Sequence, residues 1–137
     1  MRLSRLISSA LRIASRSIVV GGTLLAACGT DNTGPTPSLV GTWDLVGFTD
    51  MGIAAATTGT WIFRSDGTLS VDGTITFPGE PTEALIADGT YVQSGSSVTL
   101  TIGTQSGRWT MVESGNDLTL TEDEPPPANT IVLRRQP

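Results

Sequence analysis

From Leu39 to Leu133 the apolar residues recur at every second position. Leu39, Trp43 and Leu45 share one parity, and so do Trp61 and Phe63. The same holds for Leu69, Val71, Ile75 and Phe77, for Val98, Leu100 and Ile102, and for Trp109 and Met111. Leu118 with Leu120 and Ile131 with Leu133 complete the series. Thr and Ser fill the positions between: Ser70, Thr74, Thr76, Thr99, Thr101, Thr110 and Thr119. A period of two belongs to extended chain whose two faces meet different surroundings. Thr is β-branched, suits a pleated strand and tolerates water. The pattern predicts antiparallel strands with one buried face.

Short Gly-containing breaks separate the runs, as tight hairpins require: Ser65-Asp66-Gly67, Ser94-Gly95-Ser96, Gly103 to Gly107, and Ser114-Gly115-Asn116. About eight strands result. A meander of that number closes most simply as an up-and-down barrel, which also removes the sheet edges. The expected fold is therefore all-β, an eight-stranded antiparallel barrel, with a β-sandwich as the alternative. Two connections are longer. Thr49 to Thr58 and Pro78 to Ala87 each admit a loop or a short helical turn, the latter at residues 82–86. Asp72-Gly73 reads as a bulge inside one long strand, because Ile75 and Phe77 keep the parity of Leu69 and Val71. No full-length helix is expected after residue 28.

The first 38 residues follow another pattern. Arg2, Arg5, Arg12 and Arg16 precede an apolar stretch from Ile18 to Ala27, with no acid among them. About ten apolar residues are too few to span a bilayer core, which needs roughly 20, but they suit an export signal. Leu25-Ala26-Ala27-Cys28 resembles the processing box of bacterial lipoproteins. The resemblance implies a diacylglycerol on the Cys28 sulfur, cleavage before it, and acylation of the new amine by a palmitate-type chain. Gly29 in the following position implies outer-membrane delivery in a Gram-negative envelope. Gly29 to Ser38 lacks large apolar side chains and reads as a flexible tether reaching at most about 35 Å. The expected organisation is a signal peptide at 1–27, a lipidated cysteine and tether at 28–38, and one domain at 39–137.

Composition then narrows the chemistry. Cys28 is the only cysteine among 137 residues, so the domain has no disulfide and must be held by its core. There is no His, the commonest general base and transition-metal ligand. With Cys28 acylated, only carboxylates and hydroxyls remain for catalysis, and an enzyme is not expected. All 13 acids but only four of the eight Arg follow residue 27, and Lys is absent, so the mature part carries −9. Such a surface repels phosphate backbones and argues against a nucleic-acid partner. It also stands off from anionic headgroups, leaving the lipid on Cys28 as the expected membrane contact.

Leu39-Val40-Gly41-Thr42-Trp43 opens the domain with a Gly-X-Trp. Phe63 to Thr68, Gly89-Thr90-Tyr91 and the Leu-Thr-Leu-Thr at residues 118–121 follow in order. Together they resemble the small lipocalin-like domains of bacterial lipoproteins, over most of residues 39–135. The resemblance implies a Trp packed at the closed end of the barrel, with an arginine of the last strand across it. Parity with Ile131 and Leu133 selects Arg135 for that place and turns Arg134 to solvent. The domain is shorter than a full lipocalin and lacks that family's C-terminal helix and disulfide. A barrel of this size is filled by its own side chains or holds one small molecule.

Trp43, Trp61, Phe63, Tyr91 and Trp109 are the candidates for lining such a pocket or forming the core. Glu122-Asp123-Glu124, before three prolines, reads as a solvated loop; adjacent acids point apart and do not make a calcium site. Asp66-Gly67-Thr68, Asp72-Gly73-Thr74 and Asp88-Gly89-Thr90 are irregularly spaced and read as turns or bulges. Nothing brings Asp44 and Glu113 together as a catalytic pair. No cofactor or metal is expected. Two functions stay open: a lipid-anchored envelope protein binding a small apolar molecule, or an interaction module with a filled barrel. A cavity above about 300 Å³ favours the first.

Overall fold

The computed structural model describes residues 38–137; the signal, Cys28 and most of the tether lie outside the described residues. Eight strands follow one another: β1 Gly41–Asp50, β2 Ile53–Phe63, β3 Thr68–Thr76, β4 Glu83–Ser94, β5 Ser97–Ile102, β6 Gln105–Ser114, β7 Asp117–Glu122 and β8 Thr130–Arg135. Each pairs with the next, and β8 pairs antiparallel with β1, closing the barrel. No helix occurs among the described residues. The alternation places one residue in two inside. Leu39, Trp43, Phe63, Leu69, Val98, Leu118, Leu120 and Leu133 are at most 1% exposed. Burying each such side chain contributes about 1.5–3 kcal/mol, which lets the domain hold together without a disulfide.

An up-and-down order gives the barrel two unlike ends. The β2–β3, β4–β5 and β6–β7 turns lie at one end, with the start of β1 and the finish of β8. The β2–β3 turn is held by Asp66, whose Oδ1 accepts from the Thr68 backbone N–H at 2.9 Å and its hydroxyl at 2.7 Å. Gly67 there takes φ 83°, a conformation that L side chains rarely adopt. The other four connections form the opposite end.

Three local expectations are corrected. Thr49 to Thr58 holds no helical turn: β1 runs to Asp50, β2 starts at Ile53, and Met51 (φ 48°) with Gly52 (φ 82°) makes a two-residue hairpin. Positive φ at both central residues matches the twist of the flanking strands, and Met51 is an unusual residue to supply it. Residues 82–86 are extended as well, because Glu83 and Leu85 pair with Ile75 and Gly73 of β3. Asp72-Gly73 does lie within one strand, but no bulge occurs there; the register is unbroken toward both β2 and β4. Gly73 instead permits close approach. A Cβ on it would sit 2.2 Å from the Thr58 carbonyl oxygen and 2.8 Å from Gly59 Cα, its cross-strand partner.

The irregularity lies in β1. Its register shifts between Asp44 and Phe48 against β2, and between Leu45 and Gly47 against β8. An extra residue in one strand reverses the faces beyond it. Trp43 and Leu45 point inward before the shift, and Phe48, of opposite parity, packs against the core after it.

Candidate ligand-binding site

The five candidate aromatics belong to one continuous core: Trp43 and Trp61 are register partners across β1 and β2, and the Trp61 and Phe63 rings lie 5.9 Å apart. Trp43, Phe63 and Tyr91 belong to the closed end. Trp43 is 1% exposed, and its Nε1 donates to the Leu39 carbonyl at 2.8 Å. The Arg135 guanidinium lies 4.2 Å from the centre of the Trp43 ring, and the two residues are register partners across β1 and β8. Arg135 Nη2 donates to the Ser38 carbonyl at 2.9 Å, so the cation has an acceptor as well as the ring. Arg134 points out and pairs with Asp117 at 2.8 Å. Tyr91 meets Phe63 edge-on at 5.1 Å and donates its hydroxyl to the Arg64 carbonyl at 2.7 Å. These contacts plug that end, and the three side chains act as core.

Trp61 and Trp109 line a cavity of about 110 Å³ that begins beside this plug. Val71 and Leu100 complete the apolar wall toward the middle; Phe48, Ile75, Leu85, Ile102 and Ile131 stand nearer the open end. Phe48 and Phe77 meet edge-to-face there at 6.2 Å. The volume falls below the range of about 300–1,000 Å³ usual for drug-sized ligands, so the size expected of a binding barrel is not met and an occupant must be smaller. An apolar cavity of about 150 Å³ is enough for a benzene ring. At about 110 Å³ the space is smaller than that, and takes one end of a narrow alkyl chain whose remainder leaves by the mouth.

Its wall is not wholly apolar. Gln105, Glu122 and Asn129 also line it. Glu122 is 4% exposed, which corrects the expectation that residues 122–124 form a solvated loop. It is the inward-facing end of β7, two positions after Leu120 and opposite Trp109 on β6. Its backbone N–H donates to the Asn129 carbonyl at 2.9 Å, and its Oε2 accepts from Asn129 Nδ2 at 2.8 Å. Asn129 Oδ1 in turn accepts from the Met51 backbone N–H at 2.9 Å. The β1–β2 hairpin, the β7–β8 loop and the carboxyl are thus locked together. Burial pushes the Glu122 carboxyl up to about 7; repulsion from Glu124 and Asp50 adds to this, and the Asn129 hydrogen bond opposes it. Burial also raises Asp50. Two more lining residues carry buried polar atoms without hydrogen-bond partners, Trp61 Nε1 and Gln105 Oε1. Continued parity, Leu118, Leu120, Glu122, was the one signal that marked Glu122 as inward. Among the described residues no group of three His, Cys, Asp or Glu is placed to hold a metal ion.

A closed eight-stranded meander, plugged at one end by a Trp–Arg pair and hollow toward the other, is a lipocalin-like barrel. Among solved structures it is similar to the REP1-NXSQ fatty acid transporter, at 13% identity over 72% of this chain and 96% of that one, with a TM-score of 0.41. It is also similar to the wild-type fluorescent protein UnaG, at 12% identity over 72% of this chain and 97% of that one, again with a TM-score of 0.41. No family model matches the chain, and no curated protein matches it.

Proposed function

We propose that this protein is a lipid-anchored envelope lipoprotein whose barrel binds a small, mainly apolar molecule at its open end. The observation that carries the reading is the cavity between Trp61 and Trp109, in a barrel otherwise filled by its own side chains. Contacts with two indoles suit a narrow chain end, and the apolar wall supplies the driving force by taking that surface out of water. The chain enters the barrel at the plugged end, where β1 begins. A lipid on Cys28 therefore anchors the pole opposite the mouth and leaves the mouth open to the surrounding aqueous space. The role is carriage or capture, with no covalent chemistry.

Native mass spectrometry of the protein purified from its own envelope tests this. The expected result is a carried molecule of low mass, released on unfolding. A bare protein mass, together with no saturable response of tryptophan fluorescence to short alkyl probes, would favour the filled interaction module instead.

A further inference from the structure

A carboxyl in the wall of an apolar cavity needs an explanation. Glu122 is the acid among the lining residues, and none of them is basic. The charged groups acting on it are Glu124 and Asp50, both acids. Arg108, on the neighbouring strand, has the outward parity and is exposed, so it offers no counter-charge inside. Its Oε2 accepts from Asn129, a neutral amide that brings no positive charge. The side chain is nevertheless held in place through Asn129 and the Met51 backbone. A buried carboxyl without a cation is unfavourable unless it is neutralised or paired. A flexible surface acid could swing into water, but this one is fixed at the end of β7 by the strand ladder.

Resting on the reading of the cavity as a binding site, we propose that Glu122 selects the ligand's head group, and that the natural ligand is a small amphiphile bearing a protonated amine. The apolar end lies toward Trp61 and Trp109, and the ammonium lies at the mouth against the Glu122 carboxylate. Asp50 and Glu124 reinforce the negative potential there. A carboxylate head group would meet the same three acids with no cation to receive it, so an anionic lipid of the same length is excluded. A neutral alcohol gains one hydrogen bond but no charge pairing. A divalent cation is a poorer fit, since the acids do not converge into a coordination set.

The test uses the full chain reconstituted in phosphatidylcholine vesicles, which contribute no tryptophan fluorescence. Hexylamine, hexanol and hexanoate share one tail and differ only in the head. Each is titrated at pH 8, above the value of about 7 to which Glu122 is raised. Hexylammonium is expected to bind about tenfold or more tightly than hexanol, as for a hydrogen bond to a charged group, with hexanoate weakest. Glu122→Gln should remove the preference for the amine, and its melting midpoint shows whether the variant is folded. Saturable binding of hexanol with equal or weaker binding of hexylamine by the unmodified protein overturns the head-group assignment and leaves the apolar site standing. An amine preference that survives in folded Glu122→Gln also overturns the assignment to this residue. No saturable response to any probe overturns the binding site itself.

Discussion

Replacing Glu122 by Gln should stabilise this protein at alkaline pH and leave it nearly unchanged in acid. An unfolded glutamate titrates near 4.5, and in the folded barrel the value is raised to about 7. Between those values the folded state holds more protons than the unfolded chain, so stability is greatest below about 4.5 and declines as the pH rises through about 7. The two values lie about 2.5 pH units apart, equivalent to about 3 kcal/mol. Most of that difference is present by pH 8. Gln keeps the shape and an oxygen for Asn129 Nδ2 but cannot ionise, so its stability lacks this decline. Urea unfolding followed by tryptophan fluorescence at pH 5 and pH 8 reads the difference directly, since Trp61 and Trp109 surround the site. The variant should gain about 2–3 kcal/mol over the natural protein on going from pH 5 to pH 8. For a domain of about 100 residues this corresponds to a melting difference of order 10 °C at pH 8. Asp66 and Asp117 have lowered values and an opposite dependence at lower pH, but they are common to both proteins and cancel. Parallel stability curves for the two proteins from pH 5 to pH 8 would refute the claim that a charge is buried here.

Arg135→Ala should destabilise the barrel by about 0.5–2 kcal/mol through loss of the stacked cation, and lower the urea midpoint more than Arg134→Ala, whose ion pair with Asp117 is exposed; equal midpoints would refute the stacking role. Gly73→Ala should cost about 1–3 kcal/mol or more, because the added methyl meets the backbone of Thr58 and Gly59 rather than a side chain that can swing away; thermal melting by circular dichroism reads this, and an unchanged midpoint would contradict the close pairing of β2 and β3. Cys28→Ser should leave the precursor unprocessed or release the protein from membranes, read by fractionation and mass spectrometry; unchanged maturation and retention would refute the lipid anchor.

Much of the architecture was legible in the chain, because strand alternation is a local property. Side chains two apart share a face, and a closed barrel has one inside, so the apolar parity of seven runs named the core residues directly. The same rule carried to the chain end distinguished Arg135 from Arg134, and it would have placed Glu122 beside Leu120 had the acids around it not suggested solvent. What parity cannot contain is a change of parity. The shift in β1 depends on how that strand registers at once with β2 and β8, and it alone brings Phe48 toward the core and the cavity. The hairpin at Met51-Gly52 and the extended start of β4 likewise follow from pairing with neighbouring strands, which override weak local preferences. Which of the five aromatics line the cavity is decided by packing across strands: Trp61 is the register partner of Trp43, yet it lines the wall and Trp43 does not. Glu122 acquires its raised pKa the same way: the residue is written in the sequence, but the low-dielectric wall and the repelling acids that raise it exist only after the barrel closes, as does the Asn129 hydrogen bond that opposes them.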